Sequence, residues 1–159
     1  MQVKLAAPRE KRFFIGERIL FREIPGKNRR IQACLVNEEY FYGHSISPFK
    51  PKEQFAENAK YILAIVNSKL ISWYGGYILP NFGKDIFPKL NPNDIKELPI
   101  PGRFLFEKEI IELVTKLLAL NHSTFKSNIN FLDEQIDLLV YKLFGLTEEE
   151  IRIVEGKEN

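Results

Sequence analysis

Residues 59–78, AKYILAIVNSKLISWYGGYI, and residues 87–101, FPKLNPNDIKELPIP, decide how this chain is organised. At about 100° per residue, Ala59, Ile62, Leu63, Val66, Leu70, Trp73 and Tyr74 share one stripe, which predicts an amphipathic helix with a single face to bury. Asn67, Ser68 and Ser72 sit across from it. Gly75 and Gly76 are expected to stop the helix, because glycine accepts the positive φ of a helix C-terminus. Pro88, Pro92, Pro99 and Pro101 then hold the chain extended, with few backbone donors. A helix fed back through extended chain must lie across another layer, and the strand-like segment before it is the candidate.

That segment supplies the pattern a sheet needs. Residues 18–24, RILFREI, and 30–36, RIQACLV, are rich in aliphatic side chains, and Ile31, Ala33 and Leu35 alternate against Arg30, Gln32 and Cys34. With PGKN between them the two runs predict a hairpin. Residues 40–46, YFYGHSI, predict a third antiparallel strand. Downstream, Phe106, Ile110, Leu113, Val114 and Leu117 make a helical stripe ending near Asn121. Ile129, Leu132, Ile136, Leu139, Val140 and Leu143 make another, stopped by Gly145. The two stripes predict a helical hairpin. Thr147 and Glu150 have the spacing of a capping box, in which each side chain accepts from the other's backbone amide, so a short helix to about Val154 follows. The expected fold is α+β: a small twisted antiparallel sheet packed on a central amphipathic helix, then a helical hairpin and a short terminal helix. Residues 1–101 form the β-rich part and 102–159 the helical part, with 1–12 read as a linker.

Composition excludes several classes of function. With 159 residues, 45% of them hydrophobic, the chain can bury a core of about one domain. The net charge of +2 and pI near 8.6 are too mild to imply nucleic acid from bulk charge, so an anionic partner has to meet a local patch. Cys34 stands alone and cannot form an internal disulfide, and no apolar run approaches a membrane span. The first dozen residues lack the apolar core of a secretory signal, so a cytoplasmic location is expected. His44 and His122 belong to no nucleophile or metal motif and read as structural or solvent-facing. One cysteine and two histidines fall short of a structural zinc site. Asp94-Ile95-Lys96 lacks the upstream carboxylates of a metal-dependent nuclease and is read instead as a cap for a short turn at 95–98. Asp133, Glu134 and Asp137 are read as an acidic face turned to water.

What remains is a set of basic residues interleaved with aromatics. Lys27, Asn28, Arg29 and Arg30 crowd the first turn, with Gln32 just beyond; Tyr42 and His44 lie in the aromatic run; Lys50 and Lys52 follow it; Lys84 and Lys89 bracket Phe87. Lysine and arginine neutralise phosphates, a forked guanidinium can hold guanine O6 and N7, and an amide can address adenine. These residues are the candidate DNA contacts. Solubilising charges laid over core aromatics would read the same way, and spacing alone does not separate the two.

Four blocks carry a resemblance: residues 19–51, ILFREIPGKNRRIQACLVNEEYFYGHSISPFKP; 61–78, YILAIVNSKLISWYGGYI; 87–101, FPKLNPNDIKELPIP; and 134–151, EQIDLLVYKLFGLTEEEI. In wording and order they are similar to the C-terminal specificity domain of TaqI-like and Eco57I-like adenine-specific DNA methyltransferases and fused restriction-modification enzymes. The resemblance implies a target recognition domain that reads double-stranded DNA while a methyltransferase catalytic domain, in cis or in trans, modifies a flipped adenine. The Asn-Pro-Pro-Tyr type motif that grips the adenine is absent, its nearest string being Asn91-Pro92-Asn93-Asp94. The glycine motif for S-adenosylmethionine is absent too. The resemblance therefore implies no cofactor and no catalysis in this chain, with S-adenosylmethionine held by the catalytic domain. Two other readings stay open: a specificity-subunit module of a multi-subunit restriction system, for which 129–143 is short as a spacer helix, and a protein-interaction domain docking through Trp73 to Tyr77.

Overall fold

In the computed structural model, which describes residues 10–26, 28–101, 105–120 and 126–157, strands β1 (Arg18–Arg22), β2 (Ala33–Val36) and β3 (Ile46–Phe49) form one sheet in the order β2-β1-β3. Both outer strands run antiparallel to β1. Ile19 opposes Leu35 and Phe49, and Phe21 opposes Ala33 and Ser47, so the period-two alternation puts these side chains on one inner face. The hairpin is as expected. The third strand is shifted: it begins at Ile46, where the predicted run 40–46 ends. Tyr40 instead donates its N–H to the Phe14 carbonyl at 3.1 Å, and the rings of Phe41 and Tyr42 each lie 5.2 Å from that of Phe14. The aromatic alternation packs the connection that must cross β1 to bring β3 to its far side. Pro48 is tolerated because β3 is an edge strand.

The long amphipathic run is two helices, α1 (Ala59–Asn67) and α2 (Lys69–Ile78), broken at Ser68. Ser68 is extended at ψ 156°. Its hydroxyl accepts from Ile71 N at 3.2 Å and donates to Ile65 O at 2.7 Å, so it caps α2 from within the core. Helix α1 is buried from Tyr61 to Val66 because the sheet covers one side and α4 (Glu107–Leu118) the other. Asn67, Ser68 and Ser72, expected on a polar face, meet protein instead. Asn67 pairs with the Ala33 backbone, and Ser72 Oγ accepts from Ile31 N at 3.0 Å.

Gly75 and Gly76 do not end the helix; both lie inside α2. Gly75 is buried, and a Cβ there would stand 3.3 Å from Leu79 and Phe82, so this glycine serves close packing. Across from it, a Cβ on Gly83 would collide with the Gly76 carbonyl oxygen. Gly83→Ala should therefore cost about 1–3 kcal/mol as the 81–89 loop is forced outward. Urea unfolding measures it, and an unchanged midpoint would show that the loop does not need this approach.

Leu79, Phe82, Leu90, Ile95 and Leu98 anchor the proline-punctuated segment into the same core as the sheet and α1. Helix α3 (Pro92–Lys96) begins earlier than expected, with proline in its first turn. Asp94 does cap it, its carboxylate accepting Asn91 N at 2.8 Å from the third helical position. Helix α5 (Lys126–Phe144) packs on α4 and ends at Gly145, φ +69°. Helix α6 (Glu148–Val154) carries the expected box: Glu150 accepts Thr147 N at 2.7 Å, and Thr147 Oγ1 accepts Glu150 N at 3.3 Å. The fold class is α+β, as the sequence predicts. Asn121 and His122 lie outside the described residues.

Candidate nucleic-acid interface

Two loops meet at the end of the sheet where β1 stops. The first, residues 23–32, turns on Arg29 N donating to Gly26 O at 2.9 Å, with Arg29 in the left-handed region at φ +52°. The second, residues 81–89, is closed by Lys89 N to Asn81 O at 3.0 Å, and its Phe87 is also left-handed, φ +55°. Such conformations cost a non-glycine residue about 1–3 kcal/mol and persist only where the surroundings impose them. Leu90 N donates to Glu23 O at 2.8 Å, Lys89 pairs with Glu23 at 3.1 Å, and Arg29 pairs with Asp85 at 2.8 Å. The loops thus form one unit. At its tip Ile86 and Phe87 are 75% and 83% exposed.

Behind the loops lies a groove of about 610 Å³, bounded by Asn28 and Arg29, by Trp73 and Tyr77 of α2, and by Glu155 after α6. The Trp73 and Tyr77 rings are 4.9 Å apart. Lys69 sits at the far end, 3.3 Å from Glu155.

Arg30 also lines the groove, but its guanidinium is already engaged. Its Nε donates to Asn67 O at 2.7 Å, and its two terminal nitrogens reach Asp133 at 2.5 and 3.0 Å, with Asp137 at 3.4 Å. This is a forked guanidinium on carboxylates, partly buried. Asp137 in turn accepts the backbone N–H of Lys69 at 2.9 Å, at the start of α2. The expectation of a solvated acidic face fails for Asp137, which is 1% exposed. Burial pushes its carboxyl above the ordinary range, and the Arg30 charge and the Lys69 amide pull it partly back. The four-residue spacing of Asp133 and Asp137 puts both carboxylates on one helix face, which was the available hint.

A family model, the TaqI-like C-terminal specificity domain, matches residues 1–100. The chain belongs to that family. A Methanocaldococcus jannaschii protein, provisionally named a type II restriction enzyme and methyltransferase, is 32% identical over 137 residues, 83% of this chain. The chain spans 11% of that relative's length.

In this TaqI-like specificity domain, the residues picked from sequence separate by place. Asn28 and Arg29 line the groove, and Lys84 and Lys89 stand on the facing loop, Lys84 bonded to Asn81 at 2.8 Å. His44 is exposed at the same end of the sheet, since its neighbour Ser45 accepts from Glu23 N at 2.8 Å. Gln32 accepts from Arg22 at 3.0 Å. Tyr42 has a structural place: its hydroxyl donates to the Phe13 carbonyl, and its ring lies 6.0 Å from the buried Arg18 guanidinium. Lys50 and Lys52 are exposed but follow β3 at its other end, because Phe49 opposes Ile19. Lys27 lies outside the described residues. Sequence reasoning set Phe87 between Lys84 and Lys89 but did not single out the exposed tip Ile86-Phe87 as a contact. Among the described residues, no cluster of three or more His, Cys, Asp or Glu could hold a metal ion, and no helix is long and apolar enough to cross a membrane.

Proposed function

We propose that this domain reads double-stranded DNA for a restriction-modification enzyme, positioning the duplex so that an adenine-specific methyltransferase domain, in cis or in trans, can act. The observation that supports it is the locked pair of loops, which gathers Asn28, Arg29, Lys84 and Lys89 at one end of the sheet, with the Arg29 partner Asp85 exposed and the Lys89 partner Glu23 partly buried. Exposed ion pairs are worth about 0–1 kcal/mol, so Asp85 yields readily to phosphate. Asn28 has the amide for adenine, while Arg29, Lys84 and Lys89 suit the phosphate backbone. Arg30, held by Asp133 and Asp137, keeps the hairpin on α1 and α5. Methyl transfer and S-adenosylmethionine belong to the catalytic domain in this reading, and the nucleic-acid role places the protein in the cytoplasm.

Fluorescence anisotropy of mixed-sequence duplexes against salt tests the proposal. Binding should weaken linearly in log salt as phosphate counter-ions are released. Absence of salt-dependent binding at low ionic strength would favour a protein partner instead.

A further inference from the structure

We infer that the groove behind the loops receives one nucleotide unstacked from the duplex, its base against Trp73 and Tyr77 and its phosphate on Arg29; this rests on the DNA-reading proposal above. The groove's volume of about 610 Å³ falls within the roughly 300–1,000 Å³ of small-molecule pockets. Its α2 wall is aromatic, with Trp73 half-buried and Tyr77 75% exposed, one helical turn apart. Such side chains stack on bases whatever their identity. Asn28, exposed on the opposite rim, offers donor and acceptor to a base edge. Arg29 is held at the rim by its left-handed turn, and its partner Asp85 is 93% exposed, so a phosphate can replace that carboxylate.

Gly76 supplies an independent observation. Glycine inside a helix weakens it relative to alanine, and packing does not call for one here, since a Cβ at Gly76 would meet nothing within 4 Å. Yet Gly76 lines the groove between Trp73 and Tyr77. Leaving the position bare keeps open a slot that a side chain would fill.

Trp73 is the only tryptophan in the sequence, so its emission reports on the groove alone. The protein would be titrated with a duplex carrying one bulged nucleotide, the same duplex fully paired, and a single strand, following anisotropy and tryptophan emission together. The bulged duplex should bind about tenfold tighter than the paired one, in line with a single stacked base, and should quench Trp73. Gly76→Leu, which keeps helix propensity, should remove the preference and the quenching while leaving paired-duplex affinity unchanged. Equal affinity for bulged and paired duplexes, unchanged emission at saturation, or a single strand binding as tightly as the bulged duplex would overturn the inference with the reader role intact. Loss of binding to all three DNAs would remove the reader role itself.

Discussion

Asp137→Ala should lower the stability of the fold by about 3–5 kcal/mol, the usual cost of removing one member of a buried charge pair. The carboxylate does three things in a place water hardly reaches: it accepts the Lys69 amide at 2.9 Å at the positive end of α2, it faces Arg30 at 3.4 Å, and it faces Lys69 Nζ at 3.7 Å. Alanine leaves the amide without that acceptor and opens a void between α2 and α5. Asp137→Asn keeps an acceptor and should cost less. Because burial raises the Asp137 carboxyl above its ordinary 3.8, the folded chain holds that proton more tightly than the unfolded one. The stability added by that bound proton is therefore complete below 3.8 and lost as pH rises through the raised value, while the contacts to the Lys69 amide and Arg30 remain. The deficit of Asp137→Asn should narrow over the same rise. Denaturant unfolding of both variants across pH measures this, and an Asp137→Ala midpoint equal to the parent's would contradict the role given to the carboxylate.

Asn67→Ala should cost about 2–4 kcal/mol. Strand β2 lies at the edge of the sheet, and Asn67 finishes that edge: its Oδ1 accepts Ala33 N at 2.8 Å and its Nδ2 donates to Ala33 O at 2.9 Å. One side chain stands in for a fourth strand. Without it, both backbone groups of Ala33 are left without their partners against α1, and each such vacancy costs about 1–3 kcal/mol. Amide exchange at Ala33 should accelerate in parallel with a lowered unfolding midpoint. Exchange at the parent rate would mean that water or a neighbour already serves that edge.

These two residues show what a linear reading of the sequence can and cannot reach. The strands of the hairpin, the capping box at Thr147 and the stop at Gly145 were legible because each depends on neighbours a few positions away. The break at Ser68 was not, because helical periodicity runs through it in phase; only the contacts of Asn67 with β2 and of Asp137 with α2 show why the chain bends there. A helical wheel put Asn67 and Asp137 on wet faces, since it cannot know that the sheet lies on one side of α1 and α4 on the other. At the candidate site, Asn28, Arg29, Lys84 and Lys89 were picked by chemistry alone, and the fold brings them to one end. Arg29 and Arg30 are adjacent in sequence with identical side chains, yet one reaches an exposed aspartate and the other a partly buried acidic pair. The left-handed φ of Arg29 accompanies that divergence, and no composition rule forecasts it.

Whether the paired loops grip a duplex is tested most directly by the salt dependence of binding in the triple variant Arg29→Ala, Lys84→Ala, Lys89→Ala beside the parent chain. These side chains reach only partners at the surface, so the variant should fold as the parent does. If the three cations meet phosphates, the slope of log affinity against log salt should flatten by about three, at roughly 0.9 for each phosphate no longer neutralised. A variant that binds duplex DNA with the parent's affinity and slope would contradict the account, because the DNA would then lie elsewhere on the molecule.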